Sequence, residues 1–317
     1  DEIITNTVKE AKIDIIFNYE SLDNKLIIKG YKKDELVDEW EVFSLGGGSI
    51  RIDKYESGDE IEIYPHDKYT FEKDLKSYLD EAFNVMIEEI DRGLNSEGLI
   101  NKELNYYRVS NKLLKNAEDE SSRLIAYAYA AGEENASGHI VCTAPTLGSC
   151  GIVASLMYYL YKDLEYSKDL LLDALAIGGL FGNLIKKNAS ISGALGGCQA
   201  EVGTACAMAS SMIAFIHEGD IDLIEYSAEV GIEHHLGLTC DPVLGYVIIP
   251  CIERNAAAIL RSFDAYKIAR NLLKVKKNII DFDTVVTSMQ DTANKIPNEL
   301  KETSLGGLAI GYNHGKC

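Results

Sequence analysis

Apolar positions change their period part-way along this chain. Between Lys12 and Asp53 they alternate: KIDIIFNYE and KLIIKGY are joined across SLDN as a hairpin, and EWEVFSL then runs into Gly46, Gly47 and Gly48. No helix carrying Lys-Ser/Thr follows the glycines, so they predict a tight turn rather than a phosphate cradle. After a polar bridge at Tyr64 to Asp67 the repeat becomes about 3.6 residues, beginning with DLKSYLDEAFNVMIEEIDRGL. Further helices are predicted near Asn111 to Ala130, Gly151 to Tyr161, Ser167 to Lys186, Ala200 to His217, Ile221 to His234, Cys251 to Leu273 and Phe282 to Lys295, and strand signals after Asp53 are nearly absent. The expected fold is mainly α: residues 1–65 form the C-terminal part of a small β-rich (α+β) domain, and residues 66–317 form a large all-helical domain. Three or four strands cannot bury a face alone, so the β piece is expected to pack on the main body or on sequence that is not present.

The chain has 317 residues, 46% hydrophobic and 26% charged, enough for one large core and a smaller unit. With 31 Lys and Arg against 50 Asp and Glu, the formal charge of -19 argues against nucleic acid or an anionic membrane as partner. No run reaches the roughly 18 uninterrupted apolar residues of a membrane span, and the N-terminus lacks the basic-then-apolar order of a signal peptide, which makes the cytoplasm the expected compartment. The chain opens on Asp1 in what reads as mid-domain sequence, so a preceding segment is expected. Seven cysteines, an odd number with no CxxC pair, predict reduced thiols, some packed as small hydrophobes and some ligating a soft metal.

Two loops hold the polar groups. ENASGHIVCTAPTLGSCG, from Glu134 to Gly151, and NASISGALGGCQAEVG, from Asn188, are rich in small and hydroxyl residues, with Pro145 holding Ala144 extended. Converging on one cavity, they would offer Asn135, Ser137, Thr143, Thr146, Ser149, Asn188, Ser190 and Ser192, with exposed backbone N–H groups, to the carboxylate of a small zwitterion. The plainer reading is helix packing through Gly and Ala, with the hydroxyls as caps.

Cys198, Cys240 and Cys251 lie in separate Gly- and Pro-broken segments, which suggests one inorganic centre. A four-iron four-sulfur cluster needs thiolates, and these are favoured at helix N-termini. Cys198 precedes the helix predicted from Ala200, Cys251 opens one after Pro250, and Cys240 sits in a loop before Asp241-Pro242. Cys206 reads as a core residue inside a helix and Cys142 as one inside a β-like apolar stretch, while Cys150 could line the cavity. Cys317 ends the chain on HGKC, a tail free to swing.

The motifs GCQAEVG, EHHLGLTCDP, PCIERN, the NASG and TAPT elements from Asn135, NASISGA, KETSLGGLA and the terminal cysteine, taken in order, resemble the iron-sulfur-dependent L-serine dehydratases over nearly the whole chain. VFSLGGG before Ser49 looks like the exit of that family's small regulatory-type β domain. The resemblance implies a lyase converting L-serine to pyruvate and ammonia on an oxygen-sensitive 4Fe-4S cluster, with no pyridoxal phosphate. It implies Cys198, Cys240 and Cys251 as ligands and Cys317, on a tail reaching the cluster, at the remaining iron until substrate displaces it. Expelling hydroxide from serine is helped by a Lewis acid on the β-oxygen, which such a cluster offers.

The base is expected to be His234, before Cys240, with His139 and His314 as lesser candidates and a helix-cap role as the alternative. Glu201, Glu253 and Arg254 either orient substrate or support the cluster loops. The family's SSHT-type motif, which supplies a histidine, is absent here; Leu147 and His235 each stand where relatives usually carry Asn. Threonine or cysteine therefore stays open as substrate. The competing readings are a non-catalytic or incomplete subunit needing a partner chain with the missing histidine motif, and a zinc-binding helical scaffold. Homodimerisation, or association with a β-domain-bearing segment, is expected. Cys317→Ser is expected to keep the cluster while altering its stability or its activation by substrate; iron and sulfide analysis checks this, and loss of the whole cluster would make the tail an obligatory ligand.

Overall fold

The computed structural model describes residues 25–32, 35–46, 49–54, 60–63, 73–217 and 219–314. Its first part is a four-stranded antiparallel meander, β1 (Lys25–Lys32), β2 (Glu35–Gly46), β3 (Ser49–Lys54) and β4 (Glu60–Ile63). Gly46 lies in β2 and pairs with Ser49 of β3, while Gly47 and Gly48 of the predicted turn lie outside the described residues. KLIIKGY is β1 as expected, but its proposed hairpin partner at 12–20 lies outside the described residues, as do the polar bridge and Cys317.

The remainder is mainly α, as the periodicity predicts. Helix α1 (Lys73–Leu94) buries Phe83, Met86, Ile87, Ile90 and Leu94, the single stripe that a 3.6-residue period requires. It packs on α3 (Glu120–Ala136), reached through the short α2 (Ser110–Lys115). The predicted single helix from Asn111 to Ala130 is thus two: the Asp119 carboxylate accepts the Ser122 N–H at 2.8 Å and restarts the helix at Glu120. Between α1 and α2 lies a ribbon of β5 (Leu99–Asn101) and β6 (Tyr106–Tyr107), too short to leave a period-two pattern.

Then follow α4 (Cys150–Tyr158), α5 (Lys168–Asn188), the one-turn α6 (Gly193–Gly196), α7 (Thr204–His217), α8 (Ile221–Glu233), α9 (Cys251–Leu273), α10 (Phe282–Lys295) and α11 (Gly307–His314). Helix α7 is apolar all round and lies in the centre, touched by α4, α5, α8 and α9. With the turn before it, Gln199–His217 is long and apolar enough to cross a membrane, yet most of it is buried against these neighbours, which makes it a core helix. The two helices found beyond those predicted, α6 and α11, have four and eight residues. Cys206 is buried in α7 as expected, whereas Cys142 lies in irregular backbone rather than a strand.

Gly93 is where α1 closes on α3: a Cβ there would fall 2.5 Å from the Ala130 carbonyl oxygen, a backbone atom that cannot yield. Gly93→Ala is expected to lower the unfolding free energy by about 1–3 kcal/mol. Gly179→Ala, on α5 with nothing near its Cβ, should instead be neutral or stabilising by about 0.5–1 kcal/mol. Thermal or urea unfolding of the pair checks both.

Candidate metal and substrate site

Four pieces of chain meet at the site. Cys198 caps a π-helical turn, Gln199–Gly203, that runs into α7, and Glu201 projects from this wide turn. Cys251 is the first residue of α9. Cys240 sits on irregular backbone, held in place from far along the chain: its N–H donates to the Leu300 carbonyl at 2.8 Å, and the Glu302 N–H donates to its own carbonyl at 2.6 Å. The fourth piece is the loop before α4, which brings in Thr146.

The ligating atoms of Cys198, Glu201 and Cys240 all lie within 4.8 Å of one another, and all three residues are buried. Cys251 is buried beside them, near enough for the charges of Cys198 and Glu201 to push its thiol up, after burial itself. The Cys240 thiol lies between Glu201 Oε2, to which it donates at 3.8 Å, and Cys198, and its contact with Cys198 holds Cys198 below the ordinary thiol value despite its burial; the Arg254 guanidinium adds to this. Cys240, as the donor, is pushed up. Burial lifts the Glu201 carboxyl to about 8, and the neighbouring Cys198 and Glu302 charges act in the same direction. Thr146 Oγ1 opposes this by donating to Glu201 Oε1 at 2.7 Å.

Arg254, one turn into α9, ties these pieces together. It donates to the Thr239 carbonyl at 2.5 Å and to Asp241 Oδ1 at 3.1 Å, and its charge reaches Cys198. Asp241 Oδ2 in turn accepts the Leu308 N–H at 2.7 Å, which anchors the start of α11. Arg254 therefore pairs with Asp241 and not with its neighbour Glu253, which is exposed.

The loop from Ile140 to Gly151 is pinned at several points. Arg92 donates to the Ile140 carbonyl at 2.6 Å, and Glu89 Oε2 accepts the Cys142 N–H at 2.6 Å. Asn255 donates to the Gly148 carbonyl and accepts the Gly151 N–H at 2.7 and 2.9 Å. Of the hydroxyls and amides singled out in the sequence, Thr146 is on Glu201 and Ser149 is buried against Thr146 at 3.2 Å. Asn135 donates to the Leu147 carbonyl at 3.3 Å. Ser190 accepts the Ser192 N–H at 3.0 Å, and Ser192 is buried with a hydroxyl that has no partner. Ser137 caps α3 and receives Arg108 at 2.7 Å, while Thr143 and Asn188 are exposed.

The exposed His234 caps α8 with its Nδ1 on the Val230 carbonyl at 2.9 Å, and the half-buried His235 sits likewise on Gly231 at 2.7 Å. His139 is exposed with Nδ1 on Glu134 at 3.0 Å, and the His314 side chain lies outside the described residues. Cys150 is fully buried with its thiol pushed up by burial, first residue of α4. Sequence reasoning missed Glu302, Asn255 and Glu89. Asn255 closes the PCIERN motif and Glu302 lies in KETSLGGLA, although neither was singled out by itself, and nothing local marks Glu89.

Two buried thiols and a carboxylate, charge-balanced by a guanidinium and faced by hydroxyl loops, define a helical protein with a donor set able to hold a metal. The chain belongs to the serine dehydratase alpha chain family, whose profile matches residues 4–309. It is 35% identical over 328 residues to L-serine dehydratase 1 of Escherichia coli K12, covering 91% of this chain and 72% of that protein. The L-serine dehydratase of Helicobacter pylori is 35% identical over 346 residues, covering 93% and 75% of the two chains. That of Streptomyces coelicolor is 38% identical over 247 residues, or 75% of this chain and 54% of the relative.

Burial pushes the Glu89 carboxyl up to about 8, against the pull of the Cys142 N–H and Arg92. The folded state then holds a proton that the unfolded chain releases near pH 4.5, so stability falls as pH rises from there to about 8. Glu201 and Glu229, also raised to about 8, act in the same direction. Glu89→Gln is expected to remove about one proton from this dependence, roughly 1.4 kcal/mol per pH unit within the window. Urea unfolding of parent and variant from pH 5 to 9 checks it.

Proposed function

We propose that this chain carries the lyase site that deaminates L-serine to pyruvate and ammonia, and that Cys198, Cys240 and Cys251 hold an iron-sulfur cluster there. The observation that carries this reading is the buried Cys198, Glu201 and Cys240 group in a member of the serine dehydratase alpha chain family. Relatives named L-serine dehydratase supply the substrate. The donor set fits such a group: thiols suit iron-sulfur binding, two of them stand at helix starts, and Arg254 offsets thiolate charge.

A bound cluster of this kind supplies Lewis acidity toward a β-hydroxyl leaving group. The chain's own residues do the rest. Thr146 fixes Glu201 beside the sulfurs, and Arg254 keeps the Cys198 thiolate charged in a buried setting. Ser149 and Ser190 supply hydroxyl donors to a substrate carboxylate. His234, with its Nδ1–H given to the Val230 carbonyl, keeps Nε2 as the basic nitrogen, suited to taking the α-proton. Loss of the proton from Cα and of hydroxide from Cβ leaves aminoacrylate, which tautomerises and takes up water to give pyruvate and ammonia.

Anaerobically purified protein given L-serine, L-threonine and L-cysteine is expected to release keto acid from L-serine and to contain iron and sulfide. Ala at Cys198, Cys240 or Cys251 should abolish both the visible absorption and the turnover; a variant that keeps both removes that residue from the ligand set. Iron without turnover would favour a subunit that needs a partner chain, and zinc without sulfide would favour the scaffold reading.

A further inference from the structure

Two carboxyl groups converge above Gly193, at the start of α6. A Cβ placed there would lie 2.5 Å from Glu201 Oε2 and 3.1 Å from the Glu302 carboxyl carbon, so the two carboxyls come this close to the backbone only because the residue is glycine. Neither carboxyl is ion-paired with Lys or Arg among the described residues. Arg254 is committed to Asp241, Thr239 and Cys198. Two carboxyls this close, with Glu201 buried and Glu302 half-buried, call for a proton or a cation between them.

The residue before Gly193 is Ser192, only 3% exposed, and its Oγ has no hydrogen-bond partner. Buried hydroxyls without partners are rare, and one on the residue next to Gly193 points to a ligand with N–H groups. Two carboxylates and a hydroxyl provide three acceptors, the number that a primary ammonium can fill. These acceptors are held firmly. Glu302 takes a left-handed φ of 61°, its N–H is bound to the Cys240 carbonyl, and its side chain accepts the Ala194 N–H. Glu201 is steered by Thr146.

We propose that Glu201, Glu302 and Ser192 form the subsite for the α-ammonium group of an amino-acid substrate. It rests on the reading of the site as an amino-acid lyase, and it orients the substrate: the ammonium is drawn toward Gly193, beside the cysteines, with the carboxylate left to the hydroxyl loops. It also makes hydroxy acids and simple carboxylic acids poor ligands, because they would leave the two carboxyls facing one another uncompensated.

L-alanine and propionate differ only in the amine and have no hydroxyl to expel, so both can be titrated into the anaerobic, metal-loaded protein without turnover and read by ligand-observed NMR. L-alanine is expected to bind at least about 10-fold more tightly than propionate, the worth of a charge-assisted hydrogen bond. Glu302→Gln should weaken L-alanine by about 10-fold to 100-fold and leave propionate within about twofold, at unchanged metal content. Equal affinity of the parent for the two acids, or equal weakening of both by Glu302→Gln, overturns the proposal; if that variant does not fold, the parent comparison decides. Pyruvate formation from L-serine is scored separately: amino-acid binding without it keeps the ammonium subsite and rejects the serine reading. Failure of every α-amino acid to bind rejects the subsite.

Discussion

The half-buried guanidinium of Arg254 is paired with groups from two segments that also meet where the Gln199 N–H donates to the Leu238 carbonyl at 3.1 Å. Its planar fork spans the Thr239 carbonyl, the Asp241 carboxylate and the Cys198 sulfur, so one side chain on α9 sets the positions of two cysteine-bearing segments at once. Removing one partner of such a set leaves a charge without compensation in a low-dielectric interior, which costs far more than an exposed ion pair returns. The dependence continues outward through Asp241 to the Leu308 N–H, so the start of α11 is fixed by the carboxylate that pairs with Arg254.

Around this pairing the chain spends its irregular backbone. The π turn that carries Glu201, the left-handed Glu302, and the long-range bonds from Leu300 and Glu302 to Cys240 all lie within reach of the sulfurs. Such features persist where surrounding structure over-determines them, and α7, apolar on every side and enclosed by four helices, provides that rigidity. Polar groups are buried on the same terms. Glu201 is answered by Thr146, and Glu89 by the Cys142 N–H, while Asn255 is answered by three backbone groups of the Gly148 to Cys251 neighbourhood. The lone exception among the serines singled out, Ser192, stands beside the place where carboxyls meet.

What the sequence alone determined was local. Helix α1 and helices α9 and α10 were legible to within a residue, because their apolar stripes repeat every turn and their starts carry Asp281 as a cap or Pro250 as a break. The importance of Cys198, Cys240 and Cys251 was legible too, from Gly- and Pro-broken settings and from the family resemblance. Where the periodicity erred, a short-range competitor won: the Asp119 cap split one expected helix, and β5, β6 and α6 are too short to show a period. Only the tertiary structure decided that Glu201 lies with two thiols, that Arg254 turns to Asp241 rather than Glu253, and that Glu302 closes over Gly193. Those choices depend on contacts between residues from 13 to more than 60 positions apart, whose register is set by helix packing and not by any local pattern.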